Sequence, residues 1–186
     1  MTLQPKFGKF GRLADLGFSL GRDVALLAIF LALIHSFVTT IFFVDGESMA
    51  PTLTSNEVLL VNKLAYLASS PARGDIVVLR FPGDPEKRKF VKRIIGLPGE
   101  TVIIQDGTVS LNGKQISEPY LPLNLRTLPN RQIALSRDEY YLMGDNRRNS
   151  SDSRTWGPAR RRDLIGRTKF IIWPLPAAGF VPPVFY

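Results

Sequence analysis

KFVKRIIGLPGETVIIQDGTVSL, residues 89–111, holds three β-rich runs separated by two turns. Lys89–Ile95, Thr101–Ile104 and Thr108–Leu111 are dense in Val, Ile and Thr, whose branched side chains fit a pleated surface. Pro98-Gly99 breaks the first run, and Asp106-Gly107 joins the second to the third as a two-residue hairpin, with Asn112-Gly113 turning the chain again. Working outward, Glu57–Asn62, Asp75–Phe81 and Tyr140–Met143 have the same character, and only Lys63–Ser69 reads as helical. Fourteen prolines discourage long helices. The chain from residue 45 onward is therefore expected to be mainly β, a curled antiparallel sheet with a barrel-like core. The apolar stretch Phe170–Tyr186, broken by four prolines, is expected to cover a sheet edge or lie along a bilayer surface.

Towards the N-terminus the pattern changes. Val24–Val44 is a run of 21 residues without Asp, Glu, Lys or Arg. As a helix it would measure about 31 Å, the thickness of a hydrocarbon core of about 30 Å. It predicts a single transmembrane helix over 24–44, longer than the apolar part of a cleaved signal and with no small-residue cleavage site after it. Lys6, Lys9, Arg12 and Arg22 precede the span, while Asp45 and Glu47 follow it. The positive-inside bias then gives a short cytoplasmic N-terminus, residues 1–23, and an extracytoplasmic domain, residues 45–186.

Composition closes several routes. The 186 residues include no cysteine, so thiol nucleophiles, disulfides and Cys-ligated metals are excluded. The single histidine, His35, falls inside the predicted span, out of reach of a Ser-His-Asp triad on the aqueous side. Two-histidine metal sites are impossible, and no cofactor is implied. An excess of 24 Lys+Arg over 16 Asp+Glu calls for anionic partners, lipid head groups or nucleic acid.

Three segments remain as carriers of chemistry. Gly46-Glu47-Ser48-Met49-Ala50-Pro51-Thr52 places a serine just past the predicted membrane exit, though Ser-x-x-Pro also reads as an ordinary turn. In the run Phe90-Val91-Lys92-Arg93-Ile94-Ile95, alternation forces one of two basic residues onto an apolar face. A buried lysine loses proton affinity and can serve as a general base, whereas an edge-strand lysine only deters aggregation. Gly144 to Arg154, GDNRRNSSDSR, is a polar loop that fails the calcium-loop pattern and could orient a lysine through a hydroxyl and a carboxylate.

Together these segments resemble the type I signal peptidases, membrane-anchored Ser–Lys proteases that remove signal peptides from exported proteins. The resemblance runs in order through GESMAPTL (46–53), RGDIVV (73–78), VKRIIGLPGE (91–100), GDNRRNSSDSR (144–154), WGP (156–158) and IGR (165–167). It implies Ser48 as nucleophile, Lys92 as general base, Ser150 as the hydroxyl that positions the amine, and Asp152 as part of the same support. It implies structural ion-pairing roles for Asp145 and Arg154. Val44, Met49 and Val91 would line shallow pockets for small side chains, giving cleavage after Ala-x-Ala sites. Preproteins, the lipid bilayer and proximity to the export machinery are the implied partners, at the plasma (inner) membrane.

Two positions depart from the family pattern. Gly46 stands where some members carry a serine that helps hold the oxyanion, and Arg148 where an acidic residue is common. Self-cleaving repressors and conjugative-transfer peptidases share the dyad logic, but the former have no span of this kind and the latter a dedicated substrate. The non-enzymatic alternative is an anchored basic module for anionic lipid or nucleic acid, suggested by Arg147, Arg148, Arg154, Arg160, Arg161, Arg162 and Arg167. These arginines lack the interleaved aromatics of a base-stacking surface.

Overall fold

The computed structural model describes residues 8–123, 125–184 and 186, without the side chains of 8–16, 33–37 and 68. The His35 side chain and residues 1–7 of the predicted cytoplasmic segment thus lie outside what is described. The chain divides into a unit ending at Val38 and a unit from Thr39 to Tyr186.

The first unit is helix α1, Gly8–Val38. It ends six residues earlier than the predicted span, because Thr39–Phe43 form strand β1, paired residue by residue with β2, Val58–Asn62. The segment TTIFF is β-branched and aromatic, so the ladder wins over helix continuation. The uncharged helical part, Val24–Val38, is then 15 residues long, about 22 Å. That is shorter than a bilayer core of about 30 Å. Among the described residues no helix is long and apolar enough to cross a membrane, so the transmembrane helix expected over 24–44 is not shown.

The second unit is mainly antiparallel β. Strands β3 (Ile76–Arg80), β4 (Lys89–Gly96), β9 (Glu139–Met143), β10 (Ala159–Arg160) and β11 (Leu164–Trp173) join β1 and β2 in the order β1-β2-β11-β3-β4-β9-β10, with β12 (Gly179–Phe180) on β11. Strands β5 (Thr101–Gln105), β6 (Thr108–Leu111), β7 (Lys114–Gln115) and β8 (Arg131–Ala134) make a smaller sheet in the order β7-β6-β5-β8. Both sheets are open, so the barrel-like core is replaced by two sheets without closure. The Asp106-Gly107 hairpin forms as predicted, both residues at positive φ, 54° and 87°.

The longest strand, β11, takes residues 170–173 out of the predicted apolar tail. Its first half pairs β3, and its second half pairs β2 and β12. The proline-rich return after it does cover a sheet edge, since Gly179–Phe180 pairs Phe170–Ile171.

The sheets meet at Gly96, where β4 ends. A Cβ there would lie 2.6 Å from Val102 Cγ2, 2.8 Å from Leu135 Cδ1 and 3.0 Å from Tyr141 Cβ. Gly96→Ala is therefore expected to cost about 1–3 kcal/mol in urea unfolding, more than the entropy it recovers in the unfolded chain. An unchanged midpoint would contradict this packing.

Candidate active site

Strand β4 carries two buried cations side by side, Lys92 at 3% and Arg93 at 1% exposure. Successive strand residues point to opposite faces, so the two meet different surroundings. Arg93 is compensated: its Nε and Nη2 donate to the two oxygens of Asp145 at 2.8 and 2.6 Å, and Nη1 donates to the Gly74 carbonyl at 3.1 Å. Lys92 has no such partner. Its Nζ lies 2.7 Å from Ser48 Oγ and 5.3 Å from the Phe90 ring centre.

Ser48 reaches that position through a tight turn after β1. Ala50 N–H donates to the Glu47 carbonyl at 3.1 Å, and Leu53 N–H to the Met49 carbonyl at 2.9 Å. Gly46 has φ of 92°, a left-handed conformation that favours glycine, and its N–H donates to Ser55 Oγ at 3.1 Å. The open edge of β4 beside Lys92 makes room for this turn, since β9 pairs β4 only from Arg93 to Gly96. Phe42, Asp45, Ser48, Arg88, Phe90 and Lys92 line a cleft of about 300 Å³. Val44, Met49 and Val91 are buried together in one apolar cluster beside it.

The loop after β9 closes the far side. Asp152 caps the single-turn helix Ser153–Trp156 and accepts from Arg154 Nε and Nη2 at 2.8 and 2.7 Å and from Gly144 N–H at 3.0 Å. Burial raises its carboxyl, but the Arg154 hydrogen bonds and charge outweigh this and hold it below the usual carboxylate range. Asn146 N–H donates to the Ser48 carbonyl at 3.1 Å, which fastens the loop to the Ser48 backbone. A methyl group at Gly144 would collide with Ser150 Oγ and with that same carbonyl. Ser150 Oγ is buried beside Asp152, and among the described residues no hydrogen bond joins it to Lys92.

Thus Ser48, Lys92, Asp145, Asp152, Arg154 and Ser150 are brought into one locality, and Val44, Met49 and Val91 into its apolar wall. Arg93, passed over as Lys92's neighbour, is the partner of Asp145; its signal was a second cation in an apolar run. The basic surface expected from seven arginines is thinned, because Arg147 and Arg154 are buried, Arg167 pairs Asp75 at 3.4 Å and Arg161 donates to the Tyr66 carbonyl at 2.8 Å.

Electrostatics follow from this pairing. The two carboxylates whose charge acts on Lys92, Asp145 and Asp152, each face a bidentate arginine. Burial pushes the Lys92 amine down to about 8, against a weaker upward pull from Asp152 and Asp145.

The fold is that of an antiparallel β protein, and its class, a serine endopeptidase, and its family follow from likeness to known proteins. The profile described as "Signal peptidase, peptidase S26" matches residues 18–173. A probable signal peptidase I-2 of Synechocystis is 38% identical over 169 residues, covering 87% of this chain and 76% of its own. Signal peptidase I T of Bacillus subtilis is 37% identical, covering 83% and 84%. A solved signal peptidase I from Enterococcus faecalis is 30% identical with a TM-score of 0.47, covering 53% of this chain and 97% of its own. The chain belongs to the signal peptidase family, peptidase family S26.

The depressed amine has a consequence for stability. Between about 8 and 10.5 the unfolded chain keeps a proton that the folded chain releases, so the penalty of burying Lys92 is complete below pH 8 and fades as pH rises to 10.5. At neutral pH that penalty is on the order of 3 kcal/mol. In thermal unfolding at pH 7, Lys92→Met is expected to be more stable than the wild type by about 1–3 kcal/mol after the lost Ser48 contact. A loss of stability at pH 7 would mean that the amine is already compensated.

Proposed function

We propose that the chain removes N-terminal signal peptides from exported preproteins, with Ser48 as nucleophile and Lys92 as its general base. The observation that carries the reading is the 2.7 Å approach of a buried, unpaired amine to a serine hydroxyl. With Lys92 neutral, the hydroxyl donates to the Nζ lone pair. As Ser48 Oγ bonds to the scissile carbonyl carbon, its proton passes to Lys92, and the oxyanion is met by the Ser48 N–H. The C–N bond then breaks, and Lys92 returns the proton to the departing amine. Water adds to the acyl carbon, its proton again taken by Lys92, and release of the product acid restores Ser48 Oγ–H.

Asp145, Asp152 and Arg154 support the dyad by holding the loop, and Ser150 Oγ is the nearby hydroxyl for Lys92 when it turns from Ser48. Val44, Met49 and Val91 give a wall with room for small side chains, which favours Ala-x-Ala sites by excluding larger ones.

Residues 45–186 would act on the outer side of the plasma (inner) membrane, beside the export machinery, on substrates held at the same bilayer. Helix α1 offers apolar side chains for membrane attachment, with Val24, Leu27, Phe30 and Leu31 all more than half exposed.

Cleavage of a purified preprotein bearing an Ala-x-Ala site, in detergent, tests the reading. Wild type should cut at that site, while Ser48→Ala and Lys92→Ala should lose at least about a thousandfold in kcat. Equal cleavage by all three would withdraw the dyad. Because the base must be neutral, kcat/KM should rise with pH to a half-point near 8. A profile flat from pH 6 to 10 would remove Lys92 from that role.

A further inference from the structure

Three arginines hold the catalytic loop: Arg93, Arg147 and Arg154. Each is met by the connection between β7 and β8. Glu118 pairs with Arg147, accepting from Nη2 and, at 3.1 Å, from Nη1. Thr127 Oγ1 accepts from the same Nη1 at 2.5 Å, and the Leu128 carbonyl accepts from Arg154 Nη1 at 2.8 Å. Tyr120 lies between Arg93 and Arg147. Its ring centre is 4.1 Å from the Arg93 guanidinium carbon, a close cation–π stack in a desolvated setting. Its hydroxyl donates to Glu118 Oε1 at 2.7 Å and accepts from Arg147 Nη2 at 3.2 Å.

These contacts lead to the nucleophile in few steps. Arg147 Nε donates to the Gly144 carbonyl at 3.1 Å, and Arg93 grips Asp145. Asn146, next in the chain, donates its N–H to the Ser48 carbonyl at 3.1 Å. The loop that fixes Ser48 and screens Lys92 from water is therefore itself clamped from the smaller sheet.

We propose that Tyr120 and Glu118 are positioning residues for peptide cleavage: they hold Arg93 and Arg147, and through them the 144–146 turn, against the backbone of Ser48. The inference rests on the Ser48–Lys92 reading above. Neither residue touches the dyad, so each acts on the rate through geometry and through the exclusion of water around Lys92. The charged groups facing that amine are Asp145, Asp152 and Arg154 from the loop, with Asp45, Arg88 and Lys89 around the cleft. Loosening the loop admits water and frees the two carboxylates, and both changes favour the ammonium form.

The test compares the pH dependence of preprotein cleavage by the full chain and its Tyr120→Ala, Tyr120→Phe and Glu118→Gln variants. Tyr120→Ala should lower kcat by about tenfold or more with KM within about threefold, since a small displacement of reacting groups is costly in rate. Its kcat/KM half-point should move to higher pH. Tyr120→Phe, which keeps the ring over Arg93, should recover most of kcat, and Glu118→Gln should shift the half-point in the same direction as Tyr120→Ala. A folded Tyr120→Ala with wild-type kcat would overturn the inference. So would a lower kcat with an unmoved half-point, because a loss of folded enzyme alone leaves the profile in place. If Tyr120→Ala does not fold, Glu118→Gln decides between these outcomes. Absence of cleavage by the wild type would instead overturn the Ser48–Lys92 reading.

Discussion

Everything in this site depends on one uncompensated charge position. Lys92 is buried on a β-strand within reach of two carboxylates, yet neither neutralises it. Asp145 is held by Arg93 and Asp152 by Arg154, each through two parallel hydrogen bonds at 2.6–2.8 Å. Fork-to-fork pairing of that kind satisfies both carboxylate oxygens. What is left for Lys92 is desolvation, which lowers proton affinity, and a serine hydroxyl. A single carboxylate turned from its arginine to the amine would restore an ordinary ion pair and remove the proposed base.

The two neighbours on β4 show how one strand serves stability and reactivity together. Arg93 and Lys92 have nearly equal burial, but the guanidinium is always charged and must be paired, while the amine can shed its proton. Removing a partner from a buried pair such as Arg93–Asp145 is costly, on the order of 3–5 kcal/mol, so the arginine side of the strand is fixed by stability. The lysine side is held there at a cost in stability, the usual signature of a functional group.

Much of this was legible from residues alone, and the misses have identifiable causes. Strands β2 to β6 and β9 announce themselves by β-branched runs between turns. Strand β1 does not, because TTIFF continues the uncharged run of the helix without a break, and the pattern is therefore read as one longer span. Strand β11 is interrupted by Gly166, Arg167 and Lys169, and its apolar end merges with a proline-rich segment, so half of it reads as tail. Within the site, Ser48 and Lys92 emerge through the family resemblance of their segments, with which the absence of Cys and a single His in the apolar N-terminal stretch agree. Glu118 and Tyr120 do not, because their partners lie 29 and 27 residues away and only the packing of the small sheet brings them together.

The proposed Ser48–Lys92 chemistry turns on the protonation state of one amine, and that can be observed directly. In protein carrying ¹³C-labelled lysine, the Lys92 Cε resonance, assigned by comparison with Lys92→Met, titrates with its own ammonium group. A midpoint near 8 is predicted, far below that of an exposed lysine at about 10.5. A Lys92 midpoint at or above 10 would show that the amine stays charged at neutral pH, and would contradict its assignment as the base.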